Sequence, residues 1–130
     1  MKNILFAVFP AILLIAGLRS VPDPLPLGAP LPNPDIKMKD ISVKEGSFRD
    51  AQKKNGLLVM FSCNTCPYVI RNQSRTNEAC SFATANDIGV VILNSNEAQR
   101  DGDESFEEMK SYAKDQGYNW YYVVDKNAAM

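Results

Sequence analysis

The chain has 130 residues and a net charge of −1, with 45% hydrophobic and 22% charged residues. This composition is typical of one globular domain, and the near-zero charge gives no electrostatic reason to expect nucleic acid as a partner. The sequence has no histidine, which excludes Cys/His zinc sites, histidine-based catalytic triads and histidine-ligated haem. Any chemistry must therefore come from cysteine, carboxylate, lysine or tyrosine side chains.

The chain begins with an apolar segment. Lys2 gives it a positive start, and a mostly apolar run follows from Ile4 to Gly17. The length of this run fits a signal peptide better than a membrane span. Residues 1–20 are therefore predicted to be a signal peptide, with an uncleaved N-terminal anchor as the alternative. Either one predicts export to the periplasm or the envelope, or secretion, with membrane contact only through the anchor.

A proline-rich segment separates this start from the domain. Residues 21–35 hold six of the eight prolines. Proline fixes φ and has no N–H, so these residues are predicted to be an extended linker that leads into a domain covering residues 36–130. Alternating polarity then predicts a short strand over residues 36–40. A helix is predicted over residues 47–55, with Gly56 as its C-cap.

Three apolar runs predict the strands of a sheet, and two helices are predicted between them. The predicted strands cover residues 57–61, 89–93 and 120–124, and the predicted helices cover residues 67–86 and 105–117. Unbroken apolar runs such as residues 57–61 are typical of strands that are buried on both faces. The strand–helix–strand–helix–strand order predicts an α/β fold with a largely parallel sheet.

An acidic cluster lies at the predicted start of the second helix, between Asp101 and Glu108. Ser105 and Glu108 have the spacing of a capping box, and acids favour the positive end of a helix. The cluster lacks the spacing of a calcium-binding EF-hand loop. We therefore expect these acids to form a solvated helix terminus and not a metal site.

Cys63 and Cys66 are the candidate catalytic residues. They lie where the first apolar strand gives way to a helix, with Pro67 in its first turn. A helix N-terminus is expected to lower the pKa of Cys63 from about 8.5 to about 3.5–7.5. Cys63, expected to be more exposed and nearer to the helix end, is predicted to attack a substrate disulfide. Cys66 would then resolve the mixed disulfide and close the Cys63–Cys66 bridge.

Other interpretations of the two cysteines are weaker. A zinc site needs two further ligands, and Cys80 is the only other cysteine. A disulfide that closes so short a loop constrains the unfolded chain very little, so stability is a weak reason for the pair. Cys80 lies about 21 Å beyond Cys66 along a continuous helix, and it is predicted to be a buried, inert thiol. The sequence thus predicts no metal and no cofactor.

The cysteine motif carries a family resemblance. Residues 63–69 resemble the Cys-Asn-x-Cys-Pro-Tyr-Val motif of a subgroup of the redoxins, which are thioredoxin-like, AhpC/TSA-related proteins. Residues 93–96 and 103–110 match further, as does the aromatic strand that closes at Asp125, and residues 28–32 resemble the start of such domains. The chain is therefore similar to this group from about residue 28 onward.

The resemblance implies a thioredoxin-like fold and an exported thiol–disulfide oxidoreductase. Such an enzyme would reduce protein or small disulfides through a mixed disulfide, and its partners would be the disulfide substrate and a reducing thiol donor. In the family, the chain continues through a cis-proline segment that faces the cysteines, two antiparallel strands and a final helix. None of these follows Asp125 here, so an incomplete, truncated fold is expected, with residues 57–61 as an exposed apolar edge strand.

Two alternatives to a reductase remain. One is a thiol peroxidase with an antioxidant role, and the other is a non-catalytic module with a permanent disulfide. Peroxiredoxins carry Pro-x-x-x-Thr/Ser-x-x-Cys around the reactive cysteine. The corresponding positions before Cys63 are Gly56 and Met60, and those before Cys66 are Val59 and Cys63. Neither set matches, which makes the peroxidase the weaker interpretation.

Overall fold

The structure is a computed structural model that describes residues 24–130. The predicted signal peptide or anchor lies outside these residues. The chain divides into two units after Pro30, and the unit from Leu31 to Met130 carries every element described below. No helix among residues 24–130 combines the length and the apolar character needed to cross a membrane.

Five strands and four helices form this unit. In chain order they are β1 (Met38–Lys39), β2 (Glu45–Gly46), α1 (Phe48–Ala51), β3 (Leu57–Ser62), α2 (Pro67–Arg71), α3 (Gln73–Ala85), β4 (Gly89–Asn94), α4 (Phe106–Asp115) and β5 (Tyr121–Val124). Short 3₁₀ turns cover Glu97–Gln99 and Lys126–Ala128. The fold is α/β, as the sequence predicts.

The main sheet has three parallel strands in the order β3-β4-β5. The central strand β4 pairs with β3 from Leu57↔Gly89 to Ser62↔Asn94, and with β5 from Val91↔Tyr121 to Asn94↔Val124. The short strands β1 and β2 form a separate antiparallel pair. All carboxyl ends of the parallel strands therefore lie at one edge of the sheet, where open α/β sheets place their functional sites.

Burial differs sharply between the strands. Every residue of β4 is buried, as expected for an apolar strand with neighbours on both sides. The same prediction is wrong for β3, which is only partly buried and exposes 63% of Phe61. Within the described residues β3 pairs only with β4, so it is the exposed edge strand that the resemblance led us to expect. An apolar run alone does not distinguish a central strand from an edge strand.

Side chains alternate along β4 between two apolar layers, as the period of a strand requires. One layer holds Ile92 with Cys80, Met109 and Tyr122, and it lies under α3 and α4. The other holds Val91 and Leu93 with residues of β1, α1 and β5: Met38, Phe48, Ala51 and Val123. The sheet is thus covered on both faces, which fixes the position of the loop that follows β3.

The helices agree with the sequence in place but differ in extent. The predicted helix over residues 67–86 is interrupted at Asn72, whose φ of −100° and ψ of 9° separate α2 from α3. The predicted helix over residues 47–55 is only the four residues of α1, because Gln52 is already extended. Gly56, with φ +118°, lies in the loop before β3 and caps no helix. Ser105 caps α4 as predicted, since its side chain accepts the N–H of Glu108.

Candidate active site

The two cysteines of the motif lie in the loop between β3 and α2. Cys63 directly follows β3, and Cys66 is the N-cap of α2, whose first residue is Pro67. Both are free, partly exposed thiols, and each affects the pKa of the other. The structure therefore brings together the two residues that the sequence selects.

The acidity of the pair differs from the sequence-based expectation. The backbone N–H groups of Val69 and Tyr68 lower the pKa of Cys66. Burial raises the pKa of Cys63 to about 11, and the N–H of Cys66 only partly offsets this effect. The predicted lowering of the Cys63 pKa is therefore wrong. The helix begins one residue after Cys66, so its unpaired N–H groups face Cys66 and not Cys63.

Cys80 takes no part in this site. It is fully buried in α3, and its sulfur lies 4.0 Å from the sulfur of Met60. Burial raises the pKa of Cys80 to about 11. A buried thiol in apolar surroundings is unreactive, which agrees with the inert role predicted for it.

A buried carboxylate lies beneath the cysteine loop. The side chain of Glu104 is fully buried, and both of its oxygens accept the N–H of Asn64, at 2.9 and 2.8 Å. Oε1 also accepts the N–H of Thr65 at 3.0 Å and its hydroxyl at 2.8 Å. Asn64 and Thr65 are the two residues between the cysteines, so Glu104 holds the loop from below.

This finding corrects the interpretation of the acidic cluster. Asp101, Asp103, Glu107 and Glu108 are exposed, as expected for a solvated helix terminus. Glu104 is not, although it belongs to the same run of sequence. Nothing in the spacing of the acids separates Glu104 from its neighbours. Its role follows from a contact with residues 39 and 40 positions away, which only the tertiary structure supplies.

Asn94, at the carboxyl end of β4, and Tyr122, on β5, extend the network. Asn94 donates from Nδ2 to Oε2 of Glu104 at 2.6 Å and to the hydroxyl of Tyr122 at 3.0 Å. The Tyr122 hydroxyl in turn donates to Oδ1 of Asn64 at 2.6 Å, and Asn64 Nδ2 donates to the carbonyl of Asp103 at 3.0 Å. The loop is therefore held by the carboxylate of Glu104, the hydroxyl of Tyr122 and the backbone carbonyl of Asp103.

Glu104 is ionised within this network. Burial raises its pKa, but the hydrogen bonds from Asn64, Asn94 and Thr65 outweigh burial, and the net pKa is lowered. Among residues 24–130 no lysine or arginine forms a salt bridge with this carboxylate. Arg100 is near but donates to the backbone carbonyl of Glu104, at 2.8 Å. The negative charge is thus balanced by neutral donors.

The described residues contain no group of three or more His, Cys, Asp or Glu side chains arranged to hold a metal ion. The chemistry that the site can perform with its own groups is that of the two thiols. Two adjacent thiols at a strand-to-helix turn can exchange with a disulfide, since either one can form the mixed disulfide and the other is within reach to resolve it.

Comparison with solved structures identifies similar folds. An uncharacterised conserved protein of Geobacillus kaustophilus matches with a TM-score of 0.66 and 24% identity, over 72% of this chain and 50% of that one. A secreted disulfide oxidoreductase of Mycobacterium tuberculosis, homologous to DsbE of E. coli, matches at 0.56 and 10% identity, over 72% and 63%. A candidate thioredoxin of Neisseria meningitidis matches at 0.55 and 17% identity, over 72% and 58%.

The chain thus spans about half to two thirds of the length of these proteins. No family model matches the chain. The search of curated proteins gave no match.

Proposed function

We propose that this chain, whose fold is thioredoxin-like, is an exported thiol–disulfide oxidoreductase that works through Cys63 and Cys66. One observation carries the proposal: the two free thiols lie in one short loop at the start of a helix, and a buried carboxylate fixes that loop from below. A loop held in this way keeps both sulfurs in place while a substrate exchanges with them.

The reaction is a transfer of two electrons. A thiolate of the reduced pair attacks one sulfur of the substrate disulfide, so that a mixed disulfide forms and the other substrate sulfur leaves as a thiolate. The second cysteine then attacks the mixed disulfide, closes the Cys63–Cys66 bridge and releases the remaining substrate sulfur. The two protons of the dithiol pass to the two product thiols. The oxidised pair is reduced again by a thiol donor, which undergoes the reverse exchange.

The compartment and partners are part of the proposal. The apolar start of the sequence supports export, and disulfides persist in exported proteins. The substrate is therefore proposed to be a disulfide-bonded protein or a small disulfide, and the reductant a dithiol protein of the same compartment. The similar protein of Mycobacterium tuberculosis is described as a secreted disulfide oxidoreductase, which is consistent with this assignment.

The first test follows the thiols of the pair directly. In a Cys80→Ala background Cys63 and Cys66 are the only cysteines of the chain, so every thiol that reacts belongs to the site. Adding oxidised glutathione to the reduced protein is expected to consume two thiols and to lower the protein mass by two hydrogens. The double variant Cys63→Ser/Cys66→Ser is the control and should show neither change.

Two results would argue against an oxidoreductase. A bridge that stays closed against dithiol reductants, with a potential below about −300 mV, would instead indicate a permanent structural disulfide. Oxidation of either thiol by peroxide much faster than oxidation of a free thiol, without exchange with disulfides, would indicate a peroxidase.

Single variants identify the attacking sulfur. The sequence predicts attack by Cys63, so Cys66→Ser should accumulate mixed disulfides with the substrate. The hydrogen bonds to Cys66 favour its thiolate instead, which would make Cys63→Ser the variant that traps substrate. Mass spectrometry of each variant after incubation with the disulfide shows which sulfur carries the adduct. Trapping by neither variant would contradict the proposed exchange.

A further inference from the structure

We propose that Glu104 is a positioning residue of the dithiol: its buried carboxylate fixes the loop between the cysteines, and its charge restrains thiolate formation there. The inference rests on the proposed function for its meaning, but its geometry is independent of any substrate. It adds to the cysteine motif a residue that lies 38 positions beyond Cys66 in the sequence.

The first argument is the match between donors and acceptors. Five donors point at the two oxygens of Glu104: the N–H of Asn64, the N–H and hydroxyl of Thr65, Asn94 Nδ2 and, at 3.5 Å, Asn96 Nδ2. A carboxylate has only acceptors and about four lone-pair sites, so it suits this set of donors. A glutamine in the same place would offer one acceptor oxygen and would turn its NH₂ group toward a donor.

The second argument is electrostatic. The negative charge of Glu104 acts unfavourably on the thiolate forms of both Cys63 and Cys66. It has no comparable effect on the disulfide, which is neutral. The charge therefore opposes the dithiolate and favours the oxidised pair, which makes the reduced pair a stronger electron donor once thiolates form.

Other ionisable groups lie near Glu104, but none of those in residues 24–130 forms an ion pair with its carboxylate. Arg100 donates to the backbone carbonyls of Glu104 and Asn94 and forms an ion pair with Glu97. Tyr122 and Tyr112, on β5 and α4, are neutral, and burial raises the pKa of each. Glu104 is the charged side chain to which the N–H groups of the cysteine loop donate.

The test compares two substitutions that remove the same charge, in the Cys80→Ala background. Glu104→Gln removes the charge beneath the loop, and Glu108→Gln removes a charge from an exposed residue of the same acidic cluster.

The rate of alkylation of the reduced pair by iodoacetamide is measured against pH, together with thiolate absorbance. Glu104→Gln is expected to lower the apparent pKa of the first thiol by about one unit, a tenfold gain in thiolate below that pKa. Alkylation should then be about threefold faster, because nucleophilicity falls with pKa. Glu108→Gln should leave both unchanged.

A second pair of variants serves if Glu104→Gln does not fold. Thr65 is exposed, and its hydroxyl is one of the donors to the carboxylate. Thr65→Ala should leave the charge less balanced and raise the apparent thiol pKa, whereas Thr65→Ser should restore the wild-type profile. Equal pH profiles for Thr65→Ala and the wild type would overturn the inference.

Failure of the inference and failure of the proposed function give different results. If the wild type exchanges with disulfides but Glu104→Gln and Glu108→Gln have the same alkylation profile, Glu104 does not restrain the thiols. If the wild type does not exchange at all, the proposed function is wrong. The alkylation profiles still test the role of Glu104 in that case, because alkylation needs no disulfide substrate.

Discussion

Removing the hydroxyl of Tyr122 should loosen the cysteine loop and destabilise the domain. This hydroxyl is fully buried, donates to Asn64 Oδ1 at 2.6 Å and accepts from Asn94 Nδ2 at 3.0 Å. In Tyr122→Phe the ring remains, but the buried Asn64 Oδ1 loses its donor. Asn94 Nδ2 keeps its bond to Glu104, so one unsatisfied acceptor dominates the effect.

The size of the effect follows from that one atom. A buried acceptor left without a partner costs about 1–3 kcal/mol in the free energy of unfolding. For a domain of roughly 100 residues, each kcal/mol lowers Tm by about 4–8 °C, so a decrease between about 4 and 24 °C is expected. Urea unfolding followed by circular dichroism measures the free energy, and an unchanged m-value would show that the two unfolding transitions are comparable.

Tyr121→Phe is the matched control. Tyr121 is the preceding residue of the same strand and is half-buried, and its hydroxyl forms no hydrogen bond with residues 24–130. The same chemical change should therefore alter the free energy of unfolding by less than about 0.5 kcal/mol. If the two substitutions destabilise the domain equally, the hydrogen bonds of Tyr122 do not hold the loop, and the reasoning is refuted.

The remaining predictions concern acid stability and the sheet edge. The pKa of Glu104 is lowered in the folded state; its contribution to stability is therefore complete above its unfolded pKa and is lost as the pH falls through the lower, folded value. Between about pH 5 and 3 the free energy of unfolding should therefore fall more steeply for the wild type than for Glu104→Gln. The extra loss should be about 1.4 kcal/mol per unit of pKa shift. Parallel plots of unfolding free energy against pH for the two proteins would contradict this. Phe61 is 63% exposed on the edge strand β3, so Phe61→Lys should raise the concentration at which light scattering detects self-association several-fold. Tyr68→Lys, which changes an exposed residue of α2, is the control; an equal effect there would point to general surface hydrophobicity and not to the strand edge.

Local sequence patterns determined much of the architecture. The order of strands and helices, the position of the cysteines between β3 and α2, and the Ser105 cap of α4 are all properties of short segments. Each depends on side chains within a few residues of one another, through strand period, helix capping and the fixed φ of proline. The apolar runs likewise marked all three strands of the parallel sheet.

Strand order and the acidity of the thiols needed more than the local pattern. The runs of β3 and β4 look alike in sequence, yet only β4 has neighbours on both sides. The helix starts at Pro67, as the sequence predicts, but the N–H groups of its first turn favour the thiolate of Cys66, and burial disfavours that of Cys63. Burial and the directions of individual N–H groups depend on the folded loop, so residue order alone did not identify the more acidic thiol.

The cysteine loop shows what the sequence alone could predict about the site and what it could not. The sequence determined that two thiols stand at a strand-to-helix turn, because that follows from residues 57–67 alone. Only the tertiary structure decided what lies beneath them. Glu104 looks like its exposed neighbours in sequence, and it becomes buried because β4 and β5 bring Asn94 and Tyr122 to the same edge of the sheet as the loop. A buried charge depends on donors gathered from several segments, so it can be recognised only when those segments are in place.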